Sequence, residues 1–193
     1  MVGNTIATKL RELGHDVQIG SRSAGDDAVP YAEAAGDAEL VFNCTAGTAS
    51  LEALDAVGSE NLAGKVLVDV ANPLDFSKGM PPTLTVCNDD SLGEQIQRAY
   101  PEAKVVKALN TVNASVMVDP GSVPGDHDVF MCGNDDEAKA QVSAILESFG
   151  WAANRIHDLG DITGARATEM YLPLWLRLMG VVGGATFNIR VVQ

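Results

Sequence analysis

An α/β fold with a doubly wound parallel sheet is what this sequence of 193 residues predicts, on three observations. Short apolar strands alternate with helical patterns along most of the chain, a rhythm that builds a parallel sheet covered on both faces. The run 65–70 is apolar almost without a break, as a strand buried on both faces requires. Small residues follow two of the inner strands, Thr45-Ala46-Gly47 and Ala71-Asn72-Pro73, where backbone can approach a flat ligand closely.

The elements follow in order. Residues 4–13 read as a helix, because Ile6, Ala7, Leu10 and Leu13 recur at helical spacing and Gly14 supplies the stop. A short strand at 16–20 comes next, then the polar run Ser21-Arg22-Ser23 and a loop rich in Gly and Asp. A helix at 31–35 leads to a strand at 40–44, and Leu51, Leu54 and Val57 mark a further helix. The segment 76–88 contains Pro81-Pro82 and reads as loop. Ser91-Leu92-Gly93-Glu94 is a capping box that opens a helix ending before Pro101. Strands at 104–108 and 128–132 follow, then a helix at 135–149 with Ala138, Val142, Ile145 and Phe149 on one face, and a weak strand at 155–157. The last helix takes Thr163 as its cap and carries Met170, Leu174, Trp175 and Leu178 in an apolar stripe bent by Pro173. Core or subunit interface is the first role expected of that stripe, with Tyr171, and ligand wall the second.

Composition narrows the function classes. With 46% hydrophobic and 20% charged residues the chain reads as compact and globular. Its formal charge of -13 repels phosphate backbones and acidic lipid, so neither nucleic acid nor membrane is an expected partner. Cys44, Cys87 and Cys132 are far apart and odd in number; they read as buried thiols in a reducing, cytoplasmic compartment. The start lacks the basic and apolar regions of a signal peptide, and the apolar stretch 171–184 is too short to span a bilayer and is interrupted by Arg177.

Ligands of open parallel sheets sit outside the carboxyl ends of the strands, which directs attention to a few turns. Val2-Gly3 running into a helix reads as the last part of a G-x-G-x-x-G phosphate loop, with the first strand and two glycines expected upstream. After the next strand, Ser21-Arg22-Ser23 offers hydroxyls and a guanidinium where an acidic residue would hold the ribose of NAD. That set suits a 2'-phosphate, so NADP is the expected cofactor. Asn72 and Asn110 either hold a ligand carboxamide or carbonyl or cap the segments after them. His15, His127 and His157 have no placement suggesting acid-base work, and no metal cluster or catalytic triad is read, so no catalytic residue and no metal ligand is assigned. Hydride transfer requires neither, because the cofactor carries the chemistry.

Three segments, 14–23 (Gly-His-Asp-Val-Gln-Ile-Gly-Ser-Arg-Ser), 69–74 (Asp-Val-Ala-Asn-Pro-Leu) and 105–111 (Val-Val-Lys-Ala-Leu-Asn-Thr), together with Tyr171-Leu172-Pro173-Leu174-Trp175, resemble the NADPH-dependent coenzyme F420 reductase family. The resemblance implies a Rossmann-type fold and hydride exchange between NADP(H) and the deazaflavin ring of coenzyme F420. It matches Ser21, Arg22 and Ser23 to the clasp on the 2'-phosphate. Thr45, Ala46, Asn72 and Pro73 match loops lining the dinucleotide, and Asn110 with Thr111 the turn facing the second ring. Leu109 stands where that family usually has Phe, and Asn88-Asp89-Asp90 departs from its usual approach to the capped helix. Two units are expected: an NADP-binding Rossmann domain at 1–160, lacking its first strand and most of its glycine loop, and at 161–193 a helical appendage that completes the substrate side. The expected partner is a small-molecule redox substrate, with a homodimer through the terminal helix. Two alternatives remain at this point: a non-catalytic NADP(H)-sensing or scaffold module, and a reductase of another flavin or a ferric acceptor.

Overall fold

The computed structural model describes residues 2–22 and 28–193. In chain order the helices and strands are α1 (Val2–Glu12), β1 (Gly20–Ser21), β2 (Val29–Pro30), α2 (Tyr31–Gly36), β3 (Leu40–Asn43), α3 (Ser50–Val57), α4 (Ser59–Leu62) and β4 (Val66–Asp69). There follow β5 (Leu74–Asp75), β6 (Thr83–Leu84), α5 (Leu92–Ala99), β7 (Lys104–Ala108), α6 (Ala114–Val118), β8 (Val129–Gly133), α7 (Asp136–Ser148), β9 (Ile156–Asp158), α8 (Ala165–Met170) and α9 (Leu172–Val182).

The main sheet has the order β3-β4-β7-β8-β9. Side chains alternate across it with a period of two, and the core divides accordingly. Val66, Val68 and Val70 pack with Ile6 and Leu10 of α1, Val116 and Met117 of α6, and Val142 and Leu146 of α7. Leu67 points the other way, into a cluster with Leu54 and Val57 of α3, Leu62 of α4, and Leu92 and Ile96 of α5. Helices therefore cover both faces, as the apolar run 65–70 predicts.

One strand departs from the all-parallel expectation: β8 runs antiparallel to β7, while β3-β4, β4-β7 and β8-β9 are parallel. The link from β7 to β8 holds only the five-residue α6 and a 3-10 turn. Such a helix rises about 7.5 Å, too little to carry the chain back along a strand and set up a parallel neighbour. The strand expected at 16–20 shrinks to Gly20–Ser21, the two residues that pair, with Val29 and Pro30 of β2. The loop expected at 76–88 is partly a hairpin, with Leu74 opposite Leu84 and Asp75 opposite Thr83.

The carboxyl-terminal segment also differs. Asp161, not Thr163, is the cap, accepting from the Thr163 N–H at the head of a 3-10 turn. The long helix divides into α8 and α9, with Pro173 in the first turn of α9, where a missing N–H does no harm. Beyond α9 the tail returns to β8, the Asp128 N–H donating to the Ile189 carbonyl at 2.9 Å. His127, in the loop before β8, is buried with its ring nitrogens against the Pro120 carbonyl and Asn188. Among the cysteines only Cys132 is buried; Cys44 and Cys87 are half-buried. No helix among the described residues is long and apolar enough to cross a membrane.

Candidate functional site

Because β3, β4 and β7 are parallel, their carboxyl ends share one edge, and a cleft of about 580 Å³ lies there. Cys44–Thr48 after β3, Val70–Asn72 after β4 and Asn110–Ala114 after β7 line it, with Phe76 at the β5 hairpin and Leu172 and Trp175 of α9. Among the expected site residues the cleft gathers Val2, Thr45, Ala46, Asn72, Asn110 and Thr111. Gly3 sits behind them, where an added Cβ would lie 3.4 Å from the Cys44 Cβ. Pro73 and Ser21 are not in the lining; Arg22 is exposed, one residue beyond β1, and also outside it. Ser23 lies outside the described residues.

The turns are built by internal bonding. A Cβ at Gly47 would fall 2.1 Å from the Asn72 carbonyl oxygen, so this glycine lets one turn lie against the next. The close approach expected of 45–47 is thus made between loops. The Thr45 hydroxyl donates to Asn43 Oδ1 at 2.7 Å, and the Asn43 amide donates to Asp69 at 2.9 Å and Ser50 at 3.0 Å. Thr45 therefore braces the turn.

Asn72 and Asn110 neither cap nor stand free; they hold each other. The Asn72 amide donates to the Asn110 carbonyl at 2.8 Å, which leaves its Oδ1 to accept from the Asn110 amide at 3.0 Å. Leu109, just before, has φ 63 and is fully buried. A branched residue in the left-handed region costs about 1–3 kcal/mol, strain of the kind found where a backbone must aim a particular side chain. Here it turns the chain from β7 so that Asn110 and Thr111 face the cleft.

Three residues of the lining each hold a polar side-chain atom that is buried without a hydrogen-bond partner: Asn110 Oδ1, Thr111 Oγ1 and Trp175 Nε1. Each costs about 1–3 kcal/mol while unmatched. Trp175 was expected first as core or interface. It belongs to the cleft because α9 begins anew at Leu172, which turns Trp175 toward β7 while Leu174 points out, 55% exposed. Phe187 stacks behind the indole at 5.3 Å between ring centroids.

Beneath the floor lies a charged cluster that strand patterning hides. The β4–β7 register sets Asp69 beside Lys107, whose ammonium meets Asp69 and Glu169, each at 2.8 Å, and the Ala71 carbonyl at 2.5 Å. Glu169 also accepts from the Leu92 and Gly93 N–H groups at the start of α5. Burial would lower the Lys107 ammonium, but Asp69 and Glu169 outweigh it and hold its pKa above the ordinary value. A lysine inside one run read as a strand and an aspartate inside another read as a buried strand were the available signal, since buried charges are found paired.

A crystal structure from Arthrobacter sp. FB24, provisionally described as an F420-dependent NADP reductase, matches all of this chain and 95% of its own, at 53% identity and a TM-score of 0.94. The chain belongs to the F420-dependent NADP reductase family. A curated F420-dependent NADP reductase from Methanocaldococcus jannaschii is 35% identical over 120 residues, 62% of this chain and 52% of that protein. The rat metalloreductase STEAP3 is 28% identical over 183 residues, 89% of this chain and 35% of its own length. The chain thus spans about half or less of the curated relatives it matches. No protein-family profile matches it.

The lining is poor in titratable groups: Cys44 and Asp75 are the two among the described residues. Burial, then the charge of Asp69, pushes the Cys44 thiol up to about 12, so it stays protonated at neutral pH. Asp75 is held below the carboxylate range by the Ser77 N–H and hydroxyl, so it stays ionised. Neither serves as a proton shuttle near pH 7. The volume is in the range of ligand clefts, and Thr45, Thr48, Asn72, Asn110, Thr111 and Asn113 bring uncharged polar side chains to the lining, so the residues present suit a nicotinamide cofactor.

Proposed function

We propose that the chain is an NADP-dependent oxidoreductase that passes a hydride between NADP(H) and a second planar redox ring, coenzyme F420 first among the candidates. The supporting observation is a cleft at the carboxyl ends of β3, β4 and β7 that brings uncharged polar side chains together and, among the described residues, holds no side chain suited to acid-base work. Such a site binds and orients, which is what hydride transfer asks of a protein. NADPH bound there supplies the hydride with its electron pair. The Val2-Gly3 amides at the start of α1 face its phosphates, Ser21, Arg22 and Ser23 clasp the 2'-phosphate, and Thr45, Ala46, Asn72 and Pro73 line the dinucleotide. Asn110 and Thr111 face the second ring.

The names of the Arthrobacter and Methanocaldococcus relatives support both the cofactor and F420. Residues 1–160 form the nucleotide-binding unit in this reading and residues 161–193 complete the substrate side, consistent with Leu172 and Trp175 in the lining. We place the protein in the cytoplasm, as a homodimer joined through α9.

Following deazaflavin absorbance in a mixture of protein, NADPH and F420 tests the reaction; absence of turnover while NADPH binds rejects F420. Arg22→Ala should weaken NADPH binding by about 1.5–3 kcal/mol, the loss of a charge-assisted contact, and leave NADH binding nearly unchanged. Equal losses for both dinucleotides in calorimetric titration would remove Arg22 from the clasp.

A further inference from the structure

Three buried charges lie beneath the cleft with no part in the chemistry derived above: Asp69 on β4, Lys107 on β7 and Glu169 on α8. The ammonium pairs with both carboxylates, so one cation and two anions leave a single excess negative charge. Part of it is offset at Glu169, which meets the Leu92 and Gly93 N–H groups at the positive end of α5. Asp69 lies against the cleft wall instead. Its Oδ1 accepts from the Ala71 N–H at 3.2 Å and from the Asn43 amide at 2.9 Å, and Asn43 in turn holds Thr45. Ala71 and Thr45 both line the cleft, so the excess charge sits one or two hydrogen bonds behind the lining. Its field reaches that far: burial first and Asp69 second push up the thiol of Cys44, which also lines the cleft. Asp75 adds a second anion in the lining itself, and no lysine, arginine or histidine is found among the described lining residues.

Resting on the reading above, in which NADP(H) enters this cleft, we propose that the buried Asp69–Lys107–Glu169 cluster sets the redox balance of the bound cofactor by holding NADP+ more tightly than NADPH. The two forms carry the same phosphates and differ at the nicotinamide. Giving up a hydride, with its electron pair, to the acceptor leaves that ring with a positive charge. Phosphate contacts cancel when the two forms are compared; the charge behind the wall does not. A negative field stabilises the oxidised ring, and a site that binds NADP+ the more tightly makes bound NADPH the stronger hydride donor, since differential affinity and the shift of the bound equilibrium are one quantity. Burial gives the cluster its reach, because a charge in protein of low dielectric acts more strongly than the same charge in water. The three side chains touch no ligand atom in this role, so their signature is a ratio of affinities rather than an affinity.

Calorimetric titration of the whole protein with NADP+ and, separately, with NADPH measures that ratio without turnover. The wild-type protein should hold NADP+ about 3- to 30-fold more tightly, the range for a unit charge acting through partly screened protein. Most of the preference should survive an increase of about tenfold in salt, which screens a buried charge little. Glu169→Gln and Asp69→Asn each remove one negative charge at nearly constant shape and should lower the ratio about 3- to 30-fold, whereas Lys107→Met removes the positive one and should raise it by a similar factor. Opposite signs within one cluster are not what a loosened cleft floor produces, since lost packing weakens both forms together and leaves their ratio alone. Should a buried variant fail to fold, the wild-type ratio still decides: equal affinities, or a preference for NADPH, overturn the inference. A ratio that the folded variants leave unchanged overturns it as well. In these cases NADP(H) binding and hydride transfer, assayed separately, still stand. A wild-type protein that binds neither form overturns the inference together with the cofactor reading beneath it.

Discussion

Lys107 is fully buried with two carboxylates and one backbone carbonyl as its surroundings, and its removal separates two kinds of stabilisation. Lys107→Met keeps the length and apolar stem but leaves Asp69 and Glu169 buried without their counter-ion. Breaking such a cluster at one member costs about 3–5 kcal/mol, most of it the desolvated charge left behind. Replacing all three together with apolar residues of similar volume should recover much of that loss, because the desolvation penalty disappears with the charges. Urea unfolding of the single and triple variants measures both. A single variant as stable as the parent would mean that water reaches the carboxylates. The ammonium also holds the Ala71 carbonyl beside Asn72, so the single variant should loosen the cleft floor as well as the core.

Among the elements, α5 was the most legible, and its stability has a pH signature. The Ser91 hydroxyl accepts from the Glu94 N–H at 3.1 Å, the first half of the box that Ser-Leu-Gly-Glu predicts, and itself donates to Glu94 Oε2 at 2.7 Å, so the glutamate meets the hydroxyl where the box has it meet the Ser91 N–H. What the local pattern does not contain is Arg166 of α8, which donates to both Glu94 oxygens at 2.8 and 2.5 Å. Chiefly through Arg166, then Ser91, and against the opposing effect of burial, the Glu94 carboxyl is held below its ordinary value of 4.5. A carboxyl depressed in the fold adds stability above its unfolded value and loses it as pH falls through the folded one. Stability should therefore decline on acidification below about pH 4.5, and Glu94→Gln should lessen the slope in that window while leaving the neutral-to-acid plateau flat. An unchanged slope in urea titrations from pH 6 to 3 would show that Glu94 is not coupled to folding. The same contrast runs through the other elements. Periodicity over 135–149 and the apolar strands 65–70 and 104–108 were readable because one face or both are buried by a regular repeat. The two-residue strands, α6 and the break at Tyr171 were not, since each is decided by partners distant in sequence. In the cleft, the strand-end turns were legible from small residues, whereas Trp175, Phe76 and the Lys107 cluster depend on which way α9, the β5 hairpin and α8 are laid down.

At the scale of the whole molecule, the charge of -13 and the apolar face of α9 act against each other, and the balance predicts how the protein assembles. Leu174 is 55% exposed, Val182 59% and Val181 83%, on a helix in which Leu172 is the buried residue. Covering that face with the α9 of a second copy removes it from water, at about 25 cal/mol for each Å² buried. Bringing two strongly acidic copies together costs electrostatic work that salt reduces, since the screening length falls from about 30 Å at 0.01 M to about 10 Å at 0.1 M. The proposed homodimer should therefore strengthen as salt rises, opposite to an association held by ion pairs. Sedimentation equilibrium across that salt range checks the sign. Leu174→Glu should return the chain to monomer at every salt concentration, because it places a further negative charge on the shared face. A monomer at all concentrations of the parent protein, or a dimer indifferent to Leu174→Glu, would mean that α9 does not join the subunits. Because Trp175 lies on the same helix, dissociation should also weaken ring binding at the cleft, which ties the assembly to the proposed chemistry.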